Sequence, residues 1–148
     1  KIRDGSTIYT NSIGMEFSLI PAGSFVMGSP DGTGDSTHPP ANSAEPGRIA
    51  GSGVEKQHTV ILTTSFYMQT TEVTQGQWLA VMGGTNPSNF DTCGMNCPVE
   101  NVSWNETQNF VDSLNAREHR TNCNTTPNTC YAIPTESQWE YAARAGTV

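Results

Sequence analysis

Apolar residues in this chain come in short runs of two different periods, separated by long polar stretches. Met15, Phe17 and Leu19 alternate with Glu16 and Ser18 and lead into Ile20 and Pro21; after Ala22-Gly23, Phe25 and Met27 resume the alternation. A period of two marks half-buried strands, so residues 15–27 predict a β-hairpin that turns at Ala22-Gly23, with Gly23 and Gly28 placed where unusual dihedrals are tolerated. Val60 and Leu62, set among Thr59, Ile61 and Thr63 and followed by Phe66, Tyr67 and Met68, predict a second β run buried on both faces.

Three later segments switch to helical spacing, and each opens with the same local chemistry. Thr74 stands three residues before Gln77, Ser103 before Glu106, and Thr135 before Gln138. In each pair the hydroxyl caps the backbone N–H of the third helical residue, and that residue's side chain reaches back to the cap. Val73 precedes the first cap and can staple onto Trp78. The predicted inward stripes are Trp78, Val81 and Met82; then Phe110, Val111 and Leu114 with Trp104 in the first turn; then Trp139, Ala142 and Ala143. Gly83-Gly84 and Gly146 supply stops. A helix of about ten residues is marginal alone. Trp78, Trp104 and Trp139, one near each helix start, therefore predict three indoles plugged into one shared interior, with polar partners for their N–H groups.

The polar segments between these elements are long. Ser29 to Glu55 holds almost no large apolar residue and predicts an extended surface loop. Asp31 and Asp35 flank glycines there, but without the twelve-residue calcium-loop pattern they read as solvated turn carboxylates. With only 14% charged and 34% hydrophobic residues and abundant Gly, Pro, Asn, Ser and Thr, the composition favours a loop-rich α+β or β-rich single domain. Net charge is −7, and the seven Lys and Arg are scattered, so no surface tracks a phosphate backbone and nucleic acid is excluded as a partner. No run has the length of a membrane span.

Four cysteines form two close pairs, Cys93 with Cys97 and Cys123 with Cys130. Both pairs lie in turn-rich stretches where a disulfide would pin a loop with little to bury, and disulfides are favoured over free thiols or a zinc site. They point to an oxidising compartment, extracellular or periplasmic. His38, His58 and His119 sit in unrelated contexts with nothing at ligand spacing. Glu136 and Glu140 share a helix face and could do acid–base work, but Glu136 in the first turn also suits the helix dipole. Glu72 could pair with an amide or arginine, or border a binding surface. Asn101, Asn105 and Asn124 head N-glycosylation triplets; Asn124, in the loop between cysteines, is the better acceptor. No nucleophile elbow, metal-binding helix motif or phosphate loop is present in the sequence.

Taken together, GMEFSLIPAGSFVMGS, HTVILTTSFYMQTTEVTQGQW, NPSNF, CPVENVSWNE and IPTESQWEYAARAGT resemble, in order, the N-terminal portion of the formylglycine-generating enzyme or sulfatase-modifying factor family. The resemblance runs from about residue 13 to the end, leaving residues 1–12 as an N-terminal extension. The Ser29–Glu55 loop, the CNTTPNTC insert and Ala132-Ile133 depart from the family, which has an Arg-Leu pair at the last position. The resemblance implies an α+β, C-type-lectin-like fold of short helices and short antiparallel strands, incomplete in this segment. For the family's enzymes it implies O₂-dependent, copper-dependent conversion of a sulfatase cysteine to formylglycine. The family's copper-binding cysteine pair and most of its calcium ligands lie downstream of the matching segment, so copper and calcium are expected only with a missing C-terminal half. None of the four cysteines matches the catalytic pair, and no catalytic residue is carried over.

Two functions are consistent with this resemblance. One is a secreted binding, structural or self-assembling module, whose uncovered indole faces meet another copy, the missing half, or a protein or glycan ligand. The other is the N-terminal half of a copper-dependent oxidase.

Overall fold

The computed structural model describes residues 7–29, 56–123 and 129–146. It is a mixed structure of short antiparallel strands and three helices among the described residues: β1 (Ile8–Thr10), β2 (Glu16–Ile20), β3 (Gly23–Met27), β4 (His58–Leu62), β5 (Phe66–Gln69), α1 (Gln75–Met82), α2 (Trp104–Arg117) and α3 (Glu136–Arg144). Asp31, Asp35, His38, Asn124 and most of the expected 29–55 loop lie outside the described residues. The loop's ends are joined, with Ser29 bridging Lys56. The chain divides into two compact units, one of residues 1–20 and 66–133, the other of 21–65 and 134–148.

In the first unit β2 is the central strand, antiparallel to β1 on one side and to β5 on the other. Residues 1–12, expected as an extension, thus supply an edge strand through Ile8–Thr10. The core is Met15, Phe17, Trp78, Phe110, Val111 and Leu114, with Tyr9, Val73, Val81, Tyr131 and Ile133 among the half-buried residues around it. Helices α1 and α2 meet through Trp78 stacked on Phe110, ring centroids 5.1 Å apart and planes within 5°. Offset aromatic stacking adds about 0.5–1.5 kcal/mol to the burial of both rings.

In the second unit β3 pairs with β4, Gly23 opposite Leu62 through Met27 opposite His58. The hairpin expected from residues 15–27 is therefore not formed: the turn at Ala22-Gly23 carries the chain from one sheet to another, and each strand takes a partner distant in sequence. Nor is the second β run buried on both faces. It is split between the two sheets, and Ile61 on β4 is 69% exposed. Helix α3 lies against β3, with Tyr141 on Phe25 at 5.3 Å between centroids. A Cβ on Gly23 would run into the Tyr141 hydroxyl, so any larger residue there requires that ring to shift.

All three helices carry the reciprocal cap. Thr74, Ser103 and Thr135 accept from the backbone N–H of Gln77, Glu106 and Gln138, whose side chains bond back to the cap N–H. The three indoles nonetheless part company. Trp78 is buried, but Trp104 is 69% exposed and Trp139 61% exposed, which corrects the expectation of one shared interior. Cα–Cβ bonds tilt toward a helix N-terminus, so a ring at the first position of α2 is thrown past the helix end. In α3 Tyr141 packs on Phe25 of β3 while Glu140 and Arg144 bond Gly28 just after that strand, and Trp139 and Ala143 lie on the solvent side. Met82, expected inward, is 36% exposed at the end of α1.

Trp78→Ala should cost about 3–5 kcal/mol by removing half of the α1–α2 stack. The same change at Trp104 or Trp139 should cost under about 1 kcal/mol. Urea unfolding of the three variants checks the ranking.

Candidate functional site

The densest buried polar chemistry lies at the first turn of α1. Gln75 has no exposed surface. Its side-chain nitrogen donates to the carbonyls of Phe90 at 3.2 Å and Pro98 at 3.3 Å, and its oxygen accepts from the Asn86 amide at 2.6 Å. Its backbone N–H donates to the Cys97 carbonyl at 2.8 Å, and that of Gly76 to the Met95 carbonyl at 2.9 Å. The Cys93–Cys97 disulfide closes this loop, which is therefore folded back on the start of α1. Gly76 allows the close approach, because a Cβ there would meet the Met95 carbonyl oxygen at 3.1 Å.

The far side of the same loop is tied to the start of α2. Glu100 accepts from the Phe90 N–H at 2.8 Å, buried Ser88 accepts from the Glu100 N–H at 3.3 Å, and Asn101 donates to the Pro87 carbonyl at 3.0 Å. Asn101 takes a left-handed φ of 60° to do so. Two residues later Ser103 caps α2, and its hydroxyl and backbone N–H hold the Glu106 carboxyl below the usual value. The result is a rigid loop whose backbone is committed inward and whose large apolar side chains face water: Phe90 is 71% exposed and Met95 55%, with Trp104 beside the cap.

A second cluster in the same unit fixes the other disulfide loop. Arg120 donates to the Tyr9 hydroxyl at 3.1 Å and the Thr129 carbonyl at 3.0 Å, and stands 5.6 Å from the Tyr131 ring centre. The Tyr9 and Tyr131 hydroxyls are 3.2 Å apart. Buried Asn115 clasps the Tyr131 backbone, donating to its carbonyl at 2.9 Å and accepting from its N–H at 2.8 Å. Burial first, and then the Tyr9 hydroxyl, push the Tyr131 phenol well above its usual range. The Cys123–Cys130 disulfide closes the segment between these anchors.

The remaining candidates are placed as follows. Glu140 is committed to structure: it accepts from the Gly28 N–H at 2.9 Å and pairs with Arg144 at 2.7 Å, while Glu136 is exposed in the first turn. Asn105 is exposed on α2. His58 and His119 are exposed, and Glu72 is exposed at the entry to α1. All four cysteines are bridged, so no thiolate is offered to a soft metal. Among the described residues no three His, Cys, Asp or Glu side chains cluster. No described helix is long and apolar enough to cross a membrane. Gln75 had no signal in the sequence, since a polar residue one place after a cap looks like any solvated first-turn residue.

Fold and motifs converge on one class. The family model of the sulfatase-modifying factor enzyme 1-like domain matches residues 9–148, and the chain belongs to that family. The match begins within β1, earlier than the motifs alone suggest. The chain is similar to Chaperone protein LppX of Paenibacillus barcinonensis, 31% identical over 58% of this chain and 38% of that protein. In fold it is similar to PvdO from Pseudomonas aeruginosa, with a TM-score of 0.68 at 23% identity, covering 99% of this chain and 54% of that one. The chain thus spans about half the length of PvdO and 38% of the chaperone.

Two outcomes follow from these clusters. Gln75→Leu should strand the Asn86 amide and the Phe90 and Pro98 carbonyls, costing about 1–3 kcal/mol and raising amide hydrogen exchange at Gly76 and Cys97. Because the folded Tyr131 holds its proton more tightly than an unfolded tyrosine of pKa about 10, its stabilisation is complete below that pH and is lost as pH rises above it. Thermal midpoints should therefore fall above about pH 10 more steeply in the parent than in Tyr131→Phe.

Proposed function

We propose that this chain is the N-terminal portion of a secreted formylglycine-generating-enzyme-like domain that works as a binding or self-assembling module and is not catalytic by itself. The observation that carries this reading is the exposure of Phe90, Met95 and Trp104 on a loop and helix start that are rigidly held from beneath. Monomeric surfaces scatter large apolar residues singly, whereas three within fifteen residues on a preorganised support suit a surface meant to be covered. The similar Paenibacillus protein is named a chaperone, which agrees with a protein ligand. Two disulfides agree with an oxidising, extracellular or periplasmic address.

The second reading, the N-terminal half of a copper-dependent oxidase acting on a sulfatase cysteine, is favoured by the family itself. Under it the copper ligands belong to sequence beyond this chain, and these residues supply scaffold only. Intact mass and sedimentation of the native protein, with a formylglycine assay on a sulfatase-derived cysteine peptide, separate the two. The module reading expects self-association or ligand capture and no conversion of the peptide. A longer chain that binds Cu(I) and converts the cysteine would replace it with the oxidase.

A further inference from the structure

The turn between β1 and β2 buries an amide that is only half satisfied. Asn11 is 8% exposed, and its side-chain oxygen accepts from the backbone N–H of Ile13 at 3.2 Å and of Met15 at 2.9 Å. Those two bonds fix which end of the amide is oxygen, because only an acceptor can take them. The other end, Nδ2, is buried and has no hydrogen-bond partner. It stands close enough to the Tyr131 phenol to act on that group's ionisation, without bonding to it. The neighbouring groups are short of acceptors as well. Arg120 donates to the Tyr9 hydroxyl at 3.1 Å, and the Tyr9 and Tyr131 hydroxyls share a single hydrogen across 3.2 Å. Whichever phenol gives that hydrogen, the other phenol's hydrogen has no acceptor among the described residues. Two hydrogens on Asn11 and one phenolic hydrogen are thus left over in one cluster. The Arg120 charge meets only neutral oxygens, those of Tyr9 and the Thr129 carbonyl. Glu118, the carboxylate of this neighbourhood, is committed to the backbone N–H and hydroxyl of Ser12. Burial, the Tyr9 hydroxyl and the Glu118 charge keep Tyr131 protonated, and so able to donate.

We infer that the Asn11 amide nitrogen, the Tyr9 and Tyr131 hydroxyls and the Arg120 guanidinium form a binding site for a small monovalent anion of the halide class. A buried donor without a partner is costly, and a species that accepts hydrogen bonds while bringing no hydrogens of its own answers the count. Water would add two hydrogens to a cluster that already lacks acceptors. The guanidinium sets the sign of the charge, and the burial of Asn11 favours an ion of one atom over a bulkier carboxylate or phosphate. Bound there, the ion ties the turn after β1 to the segment after α2 and to Tyr131, at the base of the Cys123–Cys130 loop. This site is independent of the module reading above, since none of its residues belongs to the Phe90, Met95 and Trp104 surface.

The test is thermal unfolding of the full-length native protein in sodium chloride, sodium bromide or sodium gluconate at equal ionic strength, followed by crystallography of the bromide form. The midpoint should rise with chloride or bromide and level off, and gluconate should not reproduce the rise. A Kd of about 10 mM, for instance, gives a shift of about 3 °C at about 100 mM halide. Asn11→Asp keeps the oxygen that Ile13 and Met15 require and replaces the amide nitrogen by an acceptor, so it should abolish the halide shift. Tyr131→Phe removes one donor and should weaken halide binding by about fivefold or more. Trp139→Ser, on α3, should leave the shift unchanged. Circular dichroism confirms that each variant folds. In the bromide crystal an anomalous peak should lie within hydrogen-bonding distance of Asn11 Nδ2. Equal midpoints in halide and gluconate, a full halide shift in Asn11→Asp, or a water or another part of the chain bonded to Nδ2 in place of bromide would each overturn the site.

Discussion

An amide with no solvent contact must find every hydrogen-bond partner inside the protein, and Gln75 is that amide. Its three side-chain bonds all go to the loop between Asn86 and Pro98, so the start of α1 and that loop cannot be separated without leaving several polar groups unpaired. The disulfide closing Cys93 to Cys97 and the close approach at Gly76 act on the same segment. With the backbone turned inward, the loop's larger side chains have nowhere to go but outward. The surface chemistry of Phe90 and Met95 is thus a consequence of a buried glutamine.

The rest of the first unit is built by stacking. Trp78 on Phe110 joins the two helices, and Phe17 links the central strand to Tyr9 at 5.8 Å and Tyr131 at 5.4 Å. From there the Arg120 guanidinium reaches the second disulfide loop through Tyr9 and Thr129. Each disulfide loop is thereby anchored by polar bonds at its base, as a segment with few apolar residues requires. In the second unit the same task falls to Glu140 and Arg144, which hold both the N–H and the carbonyl of Gly28.

Family membership gives the fold its class, and these details give the segment its character. Three carboxylates among the described residues are committed to structure: Glu140 to the Gly28 N–H, Glu106 to a helix cap and Glu100 to the Phe90 N–H. The residues facing solvent from α1 to α2 include the apolar Phe90, Met95 and Trp104 and the acidic Asp91, Glu106 and Asp112 among many neutral polar side chains.

Local chemistry was readable from the sequence because it is local. A hydroxyl three residues before a Gln or Glu forms a cap within one helical turn, so Thr74, Ser103 and Thr135 could be assigned without knowing what the helices pack against. Close cysteine pairs and the order of five motifs were equally visible, and with them the family. Burial was not readable, since it depends on elements far away in the chain. Trp78, Trp104 and Trp139 share a sequence setting, yet one found Phe110 and two found water. Residues 15–27 alternate like a hairpin, but period two says only that each strand has an inner face and never which strand lies beside it; β1, β5 and β4 decided that. Gln75 became the keystone of the site only when folding brought Asn86, Phe90 and Pro98 to it, because a side chain's solvation is a property of its neighbours in space.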